Sequence, residues 1–250
     1  MGLFRNCTRP IDAGTIVAVT DTTGAVSRRT MARYIVASSI ATSIIGPMTA
    51  SPSHAASPTR PIRIVAYGDS LTAGYGLKPS EAFPAQLEKT LKAQGLSVEI
   101  INAGVSGDTT SAALERYDWA IPDGIDAVIV ELGANDALRG QPPEQARRNL
   151  DTILTRLSKS GVAVLLAGIP APTNWGEAYV KAFDPMFADL AKKHGALLYP
   201  FFLDGVALKP DLSLPDGLHP NAKGVAVIVE RIGPKVAELL ERVAAKRKAG

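Results

Sequence analysis

Cysteine is all but missing from this sequence of 250 residues, the only one being Cys7. Histidine is nearly as scarce, with His54, His194 and His219. Cys7 and His54 both lie upstream of Ala55 and Ala56, where an N-terminal segment is expected to be cut away. The chain that remains holds no thiol, which excludes a disulfide framework and a cysteine nucleophile. It also holds no set of histidines and cysteines suited to a metal, so neither metal nor cofactor is expected. A long apolar run is absent too. The most apolar stretch, Tyr34–Met48, is too short for a comfortable membrane span. No internal repeat is found. Charge of one sign is weak: the formal net charge is +3 with a pI near 9.0. Part of the excess sits in the N-terminal segment and in the tail "RVAAKRKAG", not in one stripe, so a nucleic-acid partner is not expected.

What the N-terminal segment does contain has a pattern. "MARYIVASSIATSIIGPMTASPSHAA" offers a basic start at Arg33, the apolar stretch, and small residues at Ser53 and Ala55. That is the layout of a secretory signal, cut after Ala55 or Ala56. Counted from Met31 it has an ordinary length, which makes Met31 the expected start. Arg28 and Arg29 offer an extended basic region or a twin-arginine signal as alternatives. The expected organisation is an extension with signal over 1–55, a linker over 56–61, one domain over 62–246, and a solvated basic tail over 247–250. Expected with it are an exported location, periplasmic or secreted, no stable membrane insertion after cleavage, and a monomer. With 46% hydrophobic and 20% charged residues, the domain has the means to build one substantial core without disulfides.

Beyond the linker, apolar runs alternate with amphipathic segments. "IRIVAY", "SVEIIN", "DAVIVEL", "VAVLLAG" and "ALLYPF" read as five buried strands. Between them, helices are predicted over "SEAFPAQLEKTLKAQG", "TTSAALERYDWA" (Asp108 or Thr109 its cap), "PPEQARRNLDTILTRLSKSG" and 177–194. A last one follows from about Ala222 to Ala245. Continuous apolar strands joined by helices imply a parallel sheet covered on both faces, a three-layer α/β/α sandwich with mostly five parallel strands. Ligands in such sheets collect beyond the C-terminal strand ends, so the loops there carry the chemistry.

The first of those loops is "GDSLTAGYGL", from Gly68. It satisfies neither the spacing of a P-loop nor that of a dinucleotide fingerprint, and Asp69 repels phosphate. A plain turn into a helix and a nucleophile at the sheet edge stay open. The other loops are "NAGVSGDTT" (102–110), "LGANDALRG" (132–140) and "PDGLHPNAKG" (215–224). A serine hydroxyl needs a base. His54 lies in the signal and His194 sits where a capping or surface role is usual, which leaves His219. Asp216, three residues upstream, is close enough to hold the imidazole in the needed tautomer. Candidate donors to an oxyanion are the Ser70 amide, the Gly107 amide and the Asn135 side chain, although a helix-entry glycine and an Asx-turn are the ordinary readings of the last two.

These four stretches, in this order, resemble the SGNH (GDSL) hydrolases. The resemblance runs from about Ile62 to Pro234, and "VELGANDALRG" and "PFFLDGVALKPD" look like its bacterial thioesterase I, lysophospholipase L1 and arylesterase branch. It implies a flavodoxin-like fold, Ser70 as nucleophile, Gly107 and Asn135 with the Ser70 amide as oxyanion hole, and His219 with Asp216 as base and orienter. It implies no metal and no cofactor. The function expected is an exported hydrolase of small-molecule or lipid acyl esters and thioesters working through an acyl-enzyme. A carbohydrate O-deacetylase on the same fold and a non-catalytic periplasmic binding protein are the alternatives. In "GIPAPTNWGEAY" (168–179), Trp175 and Tyr179 are expected to border the acyl chain.

Overall fold

The computed structural model describes residues 60–249; the expected signal, its cleavage site and most of the linker lie outside them. Five parallel strands stand in the order β2-β1-β3-β4-β5. They are β1 (Ile62–Gly68), β2 (Val98–Gly104), β3 (Ala127–Glu131), β4 (Ala163–Ala167) and β5 (Leu197–Tyr199). The helices are α1 (Ser70–Ala73), α2 (Phe83–Ala93), α3 (Thr110–Glu115), α4 (Tyr117–Ala120), α5 (Ala134–Leu138), α6 (Pro143–Lys159), α7 (Glu177–Phe183), α8 (Pro185–His194) and α9 (Ala222–Ala249).

Strand side chains point alternately to the two faces, and each face has its own core. Ile64, Ile129 and Leu165 pack with Phe83, Leu87 and Leu91 of α2 and with Val225, Ile228, Ile232, Val236 and Leu239 of α9. Val65, Val128, Val130 and Leu166 pack on the opposite face with Ala113 of α3, Leu150, Ile153, Leu154 and Leu157 of α6, and Met186 and Leu190 of α8. Each such fully buried side chain is worth about 1.5–3 kcal/mol against exposure, so both helical layers are held mainly by apolar contact. This is the three-layer sandwich that the alternating pattern implies.

Two expected helices are divided. The stretch 109–120 breaks at Arg116, whose buried guanidinium meets Asp108 at 2.5 Å and the Gly68 carbonyl at 2.9 Å. Thr109 is the cap, accepting from the Ala112 amide. The stretch 177–194 breaks at Asp184, because Pro185 has no N–H to continue the earlier helix and begins the next one instead. The last helix runs past the expected end at Ala245 to Ala249.

That extension alters the reading of the basic tail. Arg247 is part of α9 and donates to Asp126 Oδ2 at 2.7 Å and to the carbonyls of Arg60 and Pro61, each at 2.9 Å. Asp126 also accepts two bonds from the Arg60 guanidinium, each 2.8 Å, and the Arg63 amide at 2.8 Å. Burial works to raise the Asp126 pKa, but the guanidinium groups of Arg247 and Arg60 outweigh it and keep the carboxyl below its ordinary range. The clasp joins the start of β1, the entry to β3 and the end of α9. Asp126→Ala is expected to lower the free energy of unfolding by about 1–3 kcal/mol, read from a urea melt, with ester hydrolysis in the folded protein unchanged. An unchanged midpoint would show the clasp to be ornamental.

Candidate active site

The loops at the C-terminal edge of the sheet converge at the switch point of the strand order, beside β1 and β3. The first of them explains Gly68. Its backbone is not left-handed; what it needs is room, since a Cβ there would fall 2.1 Å from Thr72 Oγ1 and 2.7 Å from the Glu131 carbonyl. Without a side chain, β1 passes straight into α1. Asp69, fully buried, caps that helix by accepting the Leu71 amide at 3.0 Å, and Ser70 becomes its first residue.

Ser70 Oγ lies 2.9 Å from His219 Nε2, across 149 residues of sequence. His219 Nδ1 lies 2.7 Å from Asp216 Oδ2, and Asp216 Oδ1 accepts the amides of Leu218 at 2.9 Å and His219 at 3.0 Å. The His219 amide and side chain, with the Leu218 amide, hold the Asp216 carboxyl down at a pKa of about 2, so it is anionic throughout the neutral range. The ring of Tyr75 lies against His219 with centroids 4.5 Å apart. A carboxylate on one ring nitrogen leaves the other free to accept a proton from the serine, and the geometry permits that transfer in both directions.

The second and third loops are bound to each other. Asp136, buried at the start of α5, accepts the Thr110 amide at 2.8 Å and the Thr110 hydroxyl at 2.6 Å, and Asn149 Nδ2 donates to that hydroxyl at 3.0 Å. Gly107 holds φ at +88°, a conformation that other residues avoid, and its carbonyl accepts from Arg139 at 2.9 Å. Asn135 Nδ2 donates to Asp69 Oδ2 at 3.1 Å. An amide nitrogen carries two hydrogens, so one remains for another acceptor. His194 is elsewhere, its Nε2 2.6 Å from Asp151 on α6.

Ser70, Asn135 and His219 share one cleft of about 260 Å³. Gly107 is not among the residues lining it. The remaining wall is apolar and takes a side chain from each neighbouring loop: Leu71, Leu138, Ile169, Pro172, Leu203 and Leu218. Trp175 and Tyr179, expected along the acyl chain, are not part of that lining. Trp175 donates to the Ala137 carbonyl and Tyr179 to the Gln141 carbonyl, both at 2.8 Å, so they brace the 137–141 segment from behind. The wall residues escaped the sequence reading because a leucine in a loop carries no periodic signal; only the meeting of loops from four strands makes them neighbours. Among the described residues no cluster of three or more His, Cys, Asp or Glu side chains is arranged for a metal.

A family model described as "GDSL-like Lipase/Acylhydrolase family" matches residues 66–227, and the chain belongs to that family. It is a serine ester hydrolase. Esterase TesA of Pseudomonas aeruginosa is 35% identical over 71% of this chain and 89% of its own length. Thioesterase 1/protease 1/lysophospholipase L1 of Escherichia coli K12 is 36% identical over 69% of this chain and 82% of its own. Among solved structures, AlinE4, an SGNH-hydrolase family esterase, is 46% identical with a TM-score of 0.62, covering 74% of this chain and 99% of that one.

Proposed function

We propose that this protein is an exported esterase and thioesterase that works through an acyl-enzyme and accepts medium acyl chains. The observation that carries the reading is the unbroken chain of contacts from Ser70 to His219 to Asp216, opening into an apolar cleft. Ser70 attacks the acyl carbonyl while His219 takes its proton; Asp216 holds the imidazole in the tautomer that accepts it. The negative charge on the former carbonyl oxygen is met by the Ser70 and Gly107 amides and the Asn135 side chain. Neither of the two backbone N–H groups donates to a backbone acceptor among the described residues. His219 then protonates the leaving alcohol or thiol, and later activates water to release the acid. The secretory-signal pattern upstream of Ala56 supports export, and no helix among the described residues is long and apolar enough to cross a membrane.

The chemistry of the wall favours an acyl chain over a sugar. A glycan would need hydrogen-bonding partners, whereas Leu138 and Leu218 stand 48% and 55% exposed at the cleft with no role in either core. The test is a panel of acetyl, hexanoyl and octanoyl aryl esters, acyl-CoAs, lysophospholipids and acetylated glycans. The highest kcat/KM is expected on medium acyl chains. Activity confined to acetylated glycans would establish the deacetylase instead, and failure of a fluorophosphonate to label Ser70 would establish a binding protein.

Three substitutions sharpen this. Leu138→Ala is expected to weaken the octanoyl ester relative to the acetyl ester by about 1 kcal/mol, roughly fivefold in kcat/KM. Trp175→Ala, which loosens the segment from behind, is expected to lower both esters alike. The opposite pattern would return the indole to the acyl chain. Asn135→Ala is expected to lower kcat by about 10²–10³ with little change in KM, the loss for one oxyanion donor. A raised KM alone would place Asn135 in ground-state binding.

A further inference from the structure

Directly behind Ser70 lies a second acidic group that the reaction does not use. Glu131 ends β3, opposite Gly68 in the register of β1, and like Asp69 it is essentially excluded from solvent. Its Oε2 accepts the Thr72 hydroxyl at 2.8 Å, while Oε1 is buried with no hydrogen-bond partner. Glu131 Oε2 lies 2.7 Å from where a Cβ on Gly68 would stand, so this carboxyl sits beside the residue that Asp69 directly follows in the chain. No lysine or arginine among the described residues is bonded to either; the buried Arg116 is engaged by Asp108 and the Gly68 carbonyl.

Two ionised carboxylates side by side and out of water repel each other strongly, and neither is bonded to a cation that would offset its desolvation. One proton between them removes the repulsion and supplies a partner for the orphaned oxygen. Its place follows from the donors around each group. Burial raises the Asp69 pKa to about 6, and the bonds it accepts from the Leu71 amide and the Asn135 side chain work against that rise by favouring its ionised form. Glu131 accepts from one hydroxyl only, and burial together with the charge of Asp69 drives its pKa well above the ordinary range.

We infer that Glu131 is a positioning residue, held as a neutral acid whose O–H donates to the Asp69 carboxylate. Asp69, fixed in this way, caps the helix that presents Ser70 and aims the Asn135 amide, one of whose hydrogens it engages so that the other faces the cleft. The inference rests on the oxyanion role proposed for Asn135, and its infrared test is independent of that role.

Glu131→Gln keeps a neutral donor of the same shape beside Asp69, and is expected to retain a kcat close to that of the unaltered protein. Glu131→Ala removes the donor, and is expected to lower kcat by about 10–100-fold with KM nearly constant, as displacement of the oxyanion donor would. Infrared difference spectra of the unaltered protein against Glu131→Gln at neutral pH are expected to show the carbonyl stretch of a protonated carboxylic acid, shifted down in D₂O. Absence of that band overturns the inference. So does a Glu131→Gln variant as impaired as Glu131→Ala, or a Glu131→Ala variant with unchanged kcat. If Glu131→Ala does not fold, the glutamine variant and the infrared band decide. If no ester is turned over at all, the band still tests the proton, and the proposed function fails separately.

Discussion

Ser70→Ala is expected to lower kcat for aryl esters by about 10⁶, leaving the residual rate that binding and an oxyanion hole give on their own. The reason is that no other group can stand in for the lost oxygen. Among the described residues Ser70 carries the only hydroxyl hydrogen-bonded to His219 Nε2, and apart from Ser70, Asn135 and His219 the side chains of the cleft wall are apolar. Thermal unfolding of the variant is expected to match that of the unaltered protein. The hydroxyl is half exposed and caps nothing; the cap of α1 is Asp69, which the substitution leaves in place. Loss of one partly buried hydrogen bond amounts to about 1 kcal/mol. A variant that melts normally and still turns over ester at most of the original kcat would remove Ser70 from the mechanism.

His219→Ala is expected to be as severe, because a serine without a base is a poor nucleophile and the leaving group has no acid to protonate it. The other histidine among the described residues, His194, is committed to Asp151 on α6 and offers no substitute. Asp216→Ala makes a useful contrast. It takes away the charge that steadies the protonated imidazole, and also the acceptor for the Leu218 and His219 amides that shape the turn. Tyr75, lying tilted against the ring, still limits its rotation. A loss of about 10²–10⁴ is therefore expected for Asp216→Ala, smaller than that for His219→Ala. Steady-state kinetics and the rate of fluorophosphonate labelling read both. Equal kcat in Asp216→Ala and the unaltered protein would reduce the proposed triad to a dyad.

The residues proposed for the chemistry were legible because each had a local signature: a serine at the end of an apolar run, a glycine and an asparagine in loops of the same edge, a histidine three residues after an aspartate. Scarcity helped as well, since with so few histidines the base was found by elimination. The division of 177–194 was also open to reading, because Pro185 announces it. The division at Arg116 was not, since arginine is an ordinary helix former and only a partner held at the Gly68 carbonyl turns it inward.

The sequence by itself determined the order of strands and helices, and with it the parallel sheet, because apolar periodicity and helix-ending glycines and prolines act over a few residues. It determined which loops share an edge, since every strand in such a sheet points the same way. Tertiary structure alone decided the rest. Asp69 and Glu131 stand 62 positions apart in sequence, as 131 − 69, and nothing in either neighbourhood tells that β1 and β3 pair with Gly68 against Glu131. Arg247 reads as a solvated basic end until α9 delivers it to Asp126. The apolar cleft wall is made of leucines, alanines, prolines and an isoleucine drawn from the segments after β1, β3, β4 and β5. Burial, charge pairing and shape at a site depend on distances between segments far apart in the chain, and those distances exist only once the sheet has formed and its helices have packed against it.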